Sequence, residues 1–249
     1  QTYYFVGGMP EALDYYTTSK DVQEVREIQK EIIGAYVLDF AKYAVAPDIP
    51  KLRMIWDSIP AQLSKENKKF VFSMLKKNAR MRDFENAILW LEKAGLIHRV
   101  FRLSTAKKPL KAYAQDNIFK IYGLDVGLLG ALANLTAKDI LQGSYHLHEF
   151  KGALAENYVV QELKATHGFD LFYWESSGSA EVDIVLESSG HIFPLEIKAG
   201  TNFKSQSLKS FDKKFNPDQL GRTSFLNLKY DNKLLNIPLY AISRLPYYI

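Results

Sequence analysis

Cysteine is absent from the 249 residues, which excludes disulfides, thiolate zinc sites and cysteine nucleophiles. Any metal must therefore be held by oxygen or imidazole. No apolar run approaches the roughly 20 residues that a membrane-spanning helix needs, so no membrane partner is expected. The chain opens on Gln1 without the basic, apolar and small-residue succession of a secretory leader, and reads as an excised fragment of a cytoplasmic protein. Neither the phosphate-cradling G-x-x-x-x-G-K-S/T nor the nucleophile elbow G-x-S-x-G occurs, and no H-E-x-x-H is present. The five histidines, His98, His146, His148, His167 and His191, show no zinc-ligand spacing and read as surface or linker residues. Excess charge is also scarce. The net value of +4 only mildly favours an anionic partner, so the placement of the lysines matters more than their number.

What is present divides into several stretches. From Pro10 to about Ala46 the pattern is helical, with Asp21 as N-cap, Glu24 closing a capping box, and Val22, Val25, Ile28, Ile32, Tyr36 and Phe40 at helical spacing. Pro47 to Pro50 break the run. Three short helices are expected between Lys51 and Tyr113, the last from about Asp83 to Ala94 with Gly95 as its stop. Two strands, Leu96 to Leu103 and Leu110 to Tyr113, would then turn at Lys107-Lys108-Pro109. Helices followed by a hairpin resemble a winged helix-turn-helix. Asn117 to Leu135, with Gly123, Gly127 and Gly130, reads as a connection, followed by Asp139 to Gly143. After it come a helix (Lys151 to about His167), strands at Asp170 to Trp174, Ala180 to Leu186 and His191 to Lys198, and a helix at Ser205 to Phe215. Strands at Thr223 to Leu228 and Leu239 to Ile242 close the chain.

The chemistry-bearing pattern lies in that last stretch. On a strand with period two, Glu196 and Lys198 share one face, as do Glu181 and Asp183 on the preceding strand. If Ser189-Gly190 is a two-residue hairpin turn, Asp183 falls opposite Glu196 and Glu181 opposite Lys198. Facing carboxylates repel unless a cation or proton compensates. Glu156 falls at the centre of the apolar arc of its helix, so burial obliges it to find a cation, a hydrogen-bond partner or a proton. Hard oxygen ligands of this kind suit Mg²⁺ or Mn²⁺, with Asp183, Glu196 and Glu156 as candidate metal ligands. The implied reaction is phosphodiester hydrolysis, in which Lys198 orients the attacking water or offsets developing negative charge. Against this, an isolated E-x-K on a strand arises often by chance, and the same acids serve equally in plain salt bridges.

Several segments together resemble one family. Gly152-Ala153-Leu154-Ala155-Glu156-Asn157-Tyr158-Val159, Tyr173-Trp174-Glu175-Ser176-Ser177-Gly178, Ala180-Glu181-Val182-Asp183 and Leu195-Glu196-Ile197-Lys198 are similar to the C-terminal domain of unknown function found on predicted bacterial and archaeal AAA+ family ATPases. Gly7-Gly8-Met9-Pro10, Ile55-Trp56-Asp57-Ser58-Ile59-Pro60 and Lys120-Ile121-Tyr122-Gly123-Leu124-Asp125-Val126-Gly127-Leu128 extend the resemblance over nearly the whole chain. It implies an α+β multidomain protein: a helical segment (1–47), a winged-helix-like region (48–116), a linker (117–149) and a PD-(D/E)XK, restriction-endonuclease-like α/β/α domain with a central mixed sheet (150–249). It also implies an ATPase module, absent here, as the partner and as the only route by which ATP would enter.

A second feature concerns DNA. Lys65, Lys68, Lys69, Lys76, Lys77, Arg80 and Arg82 lie within 18 residues whose single acid is Glu66. The patch reads either as a phosphate-neutralising surface or as a solvated helix face, and Asp83, Glu85 and Glu92 on the following helix oppose the DNA reading. Two rivals to the nuclease therefore stand: a non-catalytic docking platform for nucleic acid or protein, and a transcription regulator whose C-terminal domain senses a ligand.

Overall fold

The computed structural model describes residues 1–142, 148–200 and 205–249. The expected stop at Gly143 and the linker His146 lie outside them. Two compact units are present: residues 1–99 with 121–158, and residues 100–120 with 159–249. Among the described residues, no helix is long and apolar enough to cross a membrane.

The first unit is helical. Its opening helices are α1 (Thr2–Val6), α2 (Pro10–Ser19) and α3 (Val22–Tyr43). The single helical run expected from Pro10 is cut in two, because Lys20 adopts a left-handed conformation (φ 58°) that no α-helix continues through. Asp21 then caps α3, its carboxylate accepting from the backbone N–H groups of Gln23 and Glu24. The proline-rich break holds: a 3₁₀ turn at Ala46–Asp48 leads into α4 (Ile49–Leu63), with Pro50 in the first turn, where a missing N–H costs nothing. Only a 3₁₀ turn at Phe72–Met74 separates α4 from α5 (Met81–Lys93). That helix buries Phe84, Ala87, Ile88 and Leu91, and Gly95 (φ 73°) follows its end as expected.

The stretch read as a connection is structured. Ile118, Phe119, Ile121 and Tyr122 belong to a strand, β2 (Ala114–Gly123), and α6 (Val126–Leu132) follows, then α7 (Ala137–Gln142). Its three glycines suggested a loop; the β-branched and aromatic run before them decided otherwise. Gly7 and Gly127 have a packing reason instead. A Cβ on Gly7 (φ 73°) would lie 2.2 Å from Asp125 Oδ1, and one on Gly127 would lie 2.7 Å from the Val6 carbonyl. Asp125 caps α6 through Leu128 N–H and also accepts from Gly8 N–H at 2.7 Å. Gln29, fully buried, donates to the carbonyls of Phe5 and Val6 that end α1.

The second unit is built on a mixed eight-stranded sheet in the order β2-β1-β3-β4-β5-β6-β8-β7. Its strands are β1 (Ile97–Leu103), β2, β3 (Phe172–Glu175), β4 (Glu181–Ser188), β5 (His191–Ile197), β6 (Leu220–Ser224), β7 (Lys229–Asp231) and β8 (Leu234–Pro238). Pairs β1/β3, β5/β6 and β6/β8 are parallel, and β3/β4, β4/β5 and β7/β8 are antiparallel. Helix α8 (His148–His167) leads into β3, and α9 (Gln206–Phe215) follows β5. Leu208 and Phe211 of α9 join Leu103, Leu110, Phe172, Trp174, Val182 and Val185 in one buried cluster.

Three expectations for strands need correction. Leu110–Tyr113 is a 3₁₀ turn, and the returning strand starts at Ala114, so β1 and β2 are strands of the large sheet and not a separate two-stranded wing. Leu239–Ile242 lies in a 3₁₀ segment, Leu239–Tyr247, that follows Pro238, while the strand is the preceding Leu234–Pro238. β6 runs Leu220–Ser224, three residues earlier than the apolar run Phe225-Leu226 suggested. The hairpin β7/β8, turned at Asn232 (φ 52°), was not foreseen.

Candidate active site on the β4–β5 hairpin

The turn joining β4 to β5 is Ser189-Gly190, with φ of 51° and 79°. Positive φ at both central residues is the type I′ geometry whose twist matches that of the flanking strands. The register is the expected one, from Ser188 opposite His191 to Ile184 opposite Leu195. At the next step the ladder changes character: the Asp183 carboxylate, not its backbone, accepts the Ile197 N–H at 2.7 Å. That bond ties the Asp183 side chain to the backbone of β5 at the residue after Glu196, beyond the last paired position, Ile184 opposite Leu195.

Glu181 is not where period two would put it. Phe172 and Trp174 lie two apart on β3, but their partners on β4, Val185 and Val182, lie three apart. Asp183 and Ile184 together therefore stand against Tyr173 alone, which is a β-bulge. Because all four of those apolar residues join one buried cluster, alternation beyond the bulge turns Glu181 to the opposite face of the sheet, away from Glu196 and Lys198. There Glu181 is paired directly across from Glu175. The like charges are offset by Arg102, 3.2 Å from Glu175, and by fully buried Lys120, bonded to Glu181. The Lys120 ammonium also sits 4.7 Å over the Tyr173 ring. Burial, and then the Glu181 charge, push the Tyr173 hydroxyl well above the usual tyrosine range.

Glu196 and Lys198 are together. Lys198 Nζ lies 2.7 Å from Glu196 Oε1, and Lys198 N–H donates to the Thr223 carbonyl. Glu196 is only 4% exposed, and its second oxygen, Oε2, is buried without a hydrogen-bond partner among the described residues. A carboxylate oxygen left in that condition is costly, and the strand around it offers no reason for the cost.

Glu156 belongs to the first unit, on the buried face of α8 as the helical arc predicted. Its charge is met there: Lys68 Nζ lies 2.8 Å from Oε1 and the Tyr122 hydroxyl donates to Oε2 at 2.9 Å. Of the three compensations open to it, the fold supplies a lysine and a phenol. Lys68 is accordingly taken into a largely buried ion pair, its side chain 15% exposed, and is not part of an open basic face. Lys65 and Lys69 are half-buried. Lys76, Lys77, Arg80 and Arg82 are exposed, and the first two line an open cavity of about 600 Å³ with Lys51 and Asp83. Two of the acids that opposed DNA binding have local duties: Asp83 accepts the Arg80 N–H at the start of α5, and Glu92 pairs with Arg99.

Among the described residues, no group of three or more aspartates, glutamates or histidines is placed to hold a metal ion. The donor set of the hairpin is two carboxylates, Asp183 and Glu196. His191 lies beside Asp218, and His167 bonds the Ser243 carbonyl. Trp56 and Trp174 are buried in the core, and Trp90 is half-buried.

The sequence reading missed a polar row next to Glu196. Arg222 on β6 is the direct partner of Glu196, and Asn236 on β8 is the direct partner of Arg222. Arg222 Nε donates to Asn236 Oδ1 at 2.9 Å, and the buried Ser224 hydroxyl donates to the same oxygen at 2.8 Å. Asn236, a single polar residue in the apolar run Leu234-Leu235-Asn236-Ile237, was the available signal.

Two family models match the chain. Residues 151–240 match the model of a domain of unknown function, DUF4143. No curated protein matches the chain. A crystal structure of protein VC1899 from Vibrio cholerae aligns at 10% identity and a TM-score of 0.27, over 90% of this chain and 55% of that one. The chain thus spans little more than half the length of that protein. A second family model, that of the domain of unknown function DUF8612, covers residues 1–139, and to that family the chain belongs.

Proposed function

We propose that the β4–β5 hairpin carries a divalent-cation-dependent phosphodiesterase site of the PD-(D/E)XK kind, acting on DNA through Asp183, Glu196 and Lys198. The observation that carries the reading is the buried Oε2 of Glu196, which has no hydrogen-bond partner among the described residues, on the strand whose Ile197 N–H holds the Asp183 carboxylate. A hard cation is the group such an oxygen lacks, and Mg²⁺ or Mn²⁺ needs only one or two carboxylates when waters and a substrate phosphate complete its shell. Asp183 and Glu196 would hold it. Once bound, it would supply Lewis-acid polarisation of the phosphate and a lowered pKa for an attacking water. Glu156 is not required, since Lys68 and Tyr122 already answer its charge.

The chain's own groups do the rest. The Ile197 N–H holds the Asp183 carboxylate in one orientation, and Lys198, hydrogen-bond distance from Glu196, brings a cation to the place where a phosphate would gain charge. The mixed sheet with α9 against it supports a restriction-endonuclease-like reading of this unit. Exposed Lys76, Lys77, Arg80 and Arg82, around the start of α5, are the phosphate contacts we assign to the helical first unit.

The test is plasmid cleavage with Mg²⁺ or Mn²⁺. Asp183→Asn, Glu196→Gln and Lys198→Met should each lower the rate at least about a hundredfold, the scale of losing one electrostatic contributor. Binding without any metal-dependent cutting would reject the enzyme and leave a docking platform, the role in which an ATPase partner fits best.

A further inference from the structure

Glu196 has two cations on its own face of the sheet, and they are held differently. Strand β6 runs parallel to β5 with Arg222 directly opposite Glu196, and paired residues on neighbouring strands point the same way. The glycine before it confirms the face. A Cβ on Gly221 would run into the side chains of Phe193 and Leu195, so Gly221 sits on the apolar side and Arg222 on the side of Glu196 and Lys198. Lys198 Nζ lies 2.7 Å from Glu196 Oε1. Arg222 instead donates its Nε to Asn236 Oδ1 at 2.9 Å, while Glu196 Oε2 has no hydrogen-bond partner among the described residues. A guanidinium whose task was to neutralise Glu196 would close on that oxygen with its two-pronged geometry. Here it is tied to Asn236.

Asn236 is 2% exposed, and its amide is fully engaged. Its Oδ1 accepts from Arg222 Nε and from the buried Ser224 hydroxyl, and its Nδ2 donates to the carbonyls of Leu226 and Asn227. A side-chain amide has two acceptor sites and two donor hydrogens, so this one cannot flip, and Arg222 meets its acceptor in one orientation. The Nε bond uses one of the five N–H donors of the guanidinium and leaves its charge in place. Holding the side chain in advance removes the rotamer entropy that gripping a ligand would otherwise lose.

Charge then indicates the ligand. Asp183, Glu196, a divalent cation and Lys198 together leave one positive charge, the match of a phosphodiester. Arg222 makes it two, the match of the dianion that forms when a deprotonated water adds to phosphorus. A cation that completes the balance only at that point favours the transition state over the bound substrate.

We infer that Arg222 is a second phosphate-contacting cation of the site, meeting a non-bridging oxygen as charge develops on it, and that Asn236 is the positioning residue that holds its guanidinium. This rests on the proposed phosphodiesterase reading and adds a residue to it.

The experiment uses the full chain and three measurements: Mn²⁺ binding by isothermal titration calorimetry without DNA, thermal unfolding, and steady-state cutting of plasmid. Arg222→Gln should lower kcat about a hundredfold and leave KM within about threefold, the pattern of a contact made in the transition state. The same variant should bind Mn²⁺ roughly threefold or more tighter, because a like charge beside the cation is gone. Arg222→Lys should keep the wild-type Mn²⁺ affinity and cut within about tenfold of wild type, since an ammonium retains the charge without the planar fork. A purely supporting role predicts the opposite sign: a lowered thermal midpoint, with Mn²⁺ binding weakened along with cutting. That result, or an unchanged kcat in Arg222→Gln, overturns the inference. The Glu196→Gln assay reads the underlying proposal separately. Cutting lost in Glu196→Gln and untouched in Arg222→Gln rejects the role of Arg222 and spares the enzyme, whereas a wild-type chain that never cuts rejects both.

Discussion

At the residue scale, the glycines separate those that the fold demands from those it tolerates. Gly7 sits at φ 73° with Asp125 Oδ1 2.2 Å from where a Cβ would be, and the same carboxylate caps α6 and accepts Gly8 N–H. Gly7→Ala meets a backbone conformation, φ 73° and ψ −166°, that is essentially restricted to glycine and costs another residue about 1–3 kcal/mol, before the clash displaces Asp125, so a total loss of about 3 kcal/mol in urea unfolding is expected. Gly34 is the counter-case. It is exposed within α3, and among the described residues nothing lies within 4 Å of its Cβ position. Gly34→Ala should stabilise by about 0.5–1 kcal/mol, because a helical glycine loses more chain entropy on folding than alanine. If both changes proved neutral, the close packing of α1 on α6 would be misread. Gly7-Gly8 and Asp125-Val126-Gly127, which looked like family signatures, thus have a structural purpose. The arginine in the same cluster is less comfortable: Arg26 lies over the Phe5 ring, donates to Gln29 and the Gly127 carbonyl, and has Nε and one terminal nitrogen buried without a partner among the described residues. Burial pulls its pKa down to about 10, with Glu27 opposing. Keeping that cation inside is a cost to the fold at every pH below that value, relieved only as pH rises above it.

At the scale of elements, the hairpin shows how far the sequence could be read. Its register was legible because a Ser-Gly turn fixes pairing and Ile184 and Leu186 mark one face. The bulge was not, because one extra residue leaves no compositional trace, and its effect is to reverse every face beyond it. Glu181, which alternation set against Lys198, is carried to the other side and meets Lys120, 61 residues away. Lys68 as the partner of Glu156 and Arg222 as the neighbour of Glu196 were hidden for a related reason. Each depends on which elements become adjacent, and period-two reading sees only one strand at a time. The Lys120–Glu181 pair gives a direct check. Lys120 is fully buried and Glu181 a quarter exposed, so Glu181→Ala, which takes the carboxylate from a buried ammonium, should cost on the order of 3 kcal/mol. The double change Lys120→Met with Glu181→Gln should cost less than Glu181→Ala alone, since the uncompensated charge is gone. Metal-dependent cutting should survive Glu181→Gln in correctly folded protein and be lost in Asp183→Asn. Equal loss in both would mean that the bulge does not divide the two acids as described.

For the whole molecule, the small net charge of +4 conceals an uneven distribution, and this decides how the chain should respond to salt. Of the seven basic residues between Lys65 and Arg82, Lys68 is engaged by Glu156, Lys65 and Lys69 are half-buried, and four are exposed. A cation already paired inside the protein releases no counterions from DNA; only the exposed ones do. Each phosphate contact contributes about 0.9 to the slope of log affinity against log salt on duplex DNA. Replacing Lys76, Lys77, Arg80 and Arg82 together by glutamine should therefore lower that slope by up to about 3.6, four contacts at 0.9 each. Lys68→Gln should instead act through stability, because it strips Glu156 of its ammonium, and should leave the slope of the folded protein unchanged. Anisotropy titrations of a duplex at several salt concentrations separate the two effects. A slope that falls by about one for Lys68→Gln and stays level for the fourfold variant would reverse the assignment, placing the DNA contact on the ion pair and making the exposed cluster a solvated face.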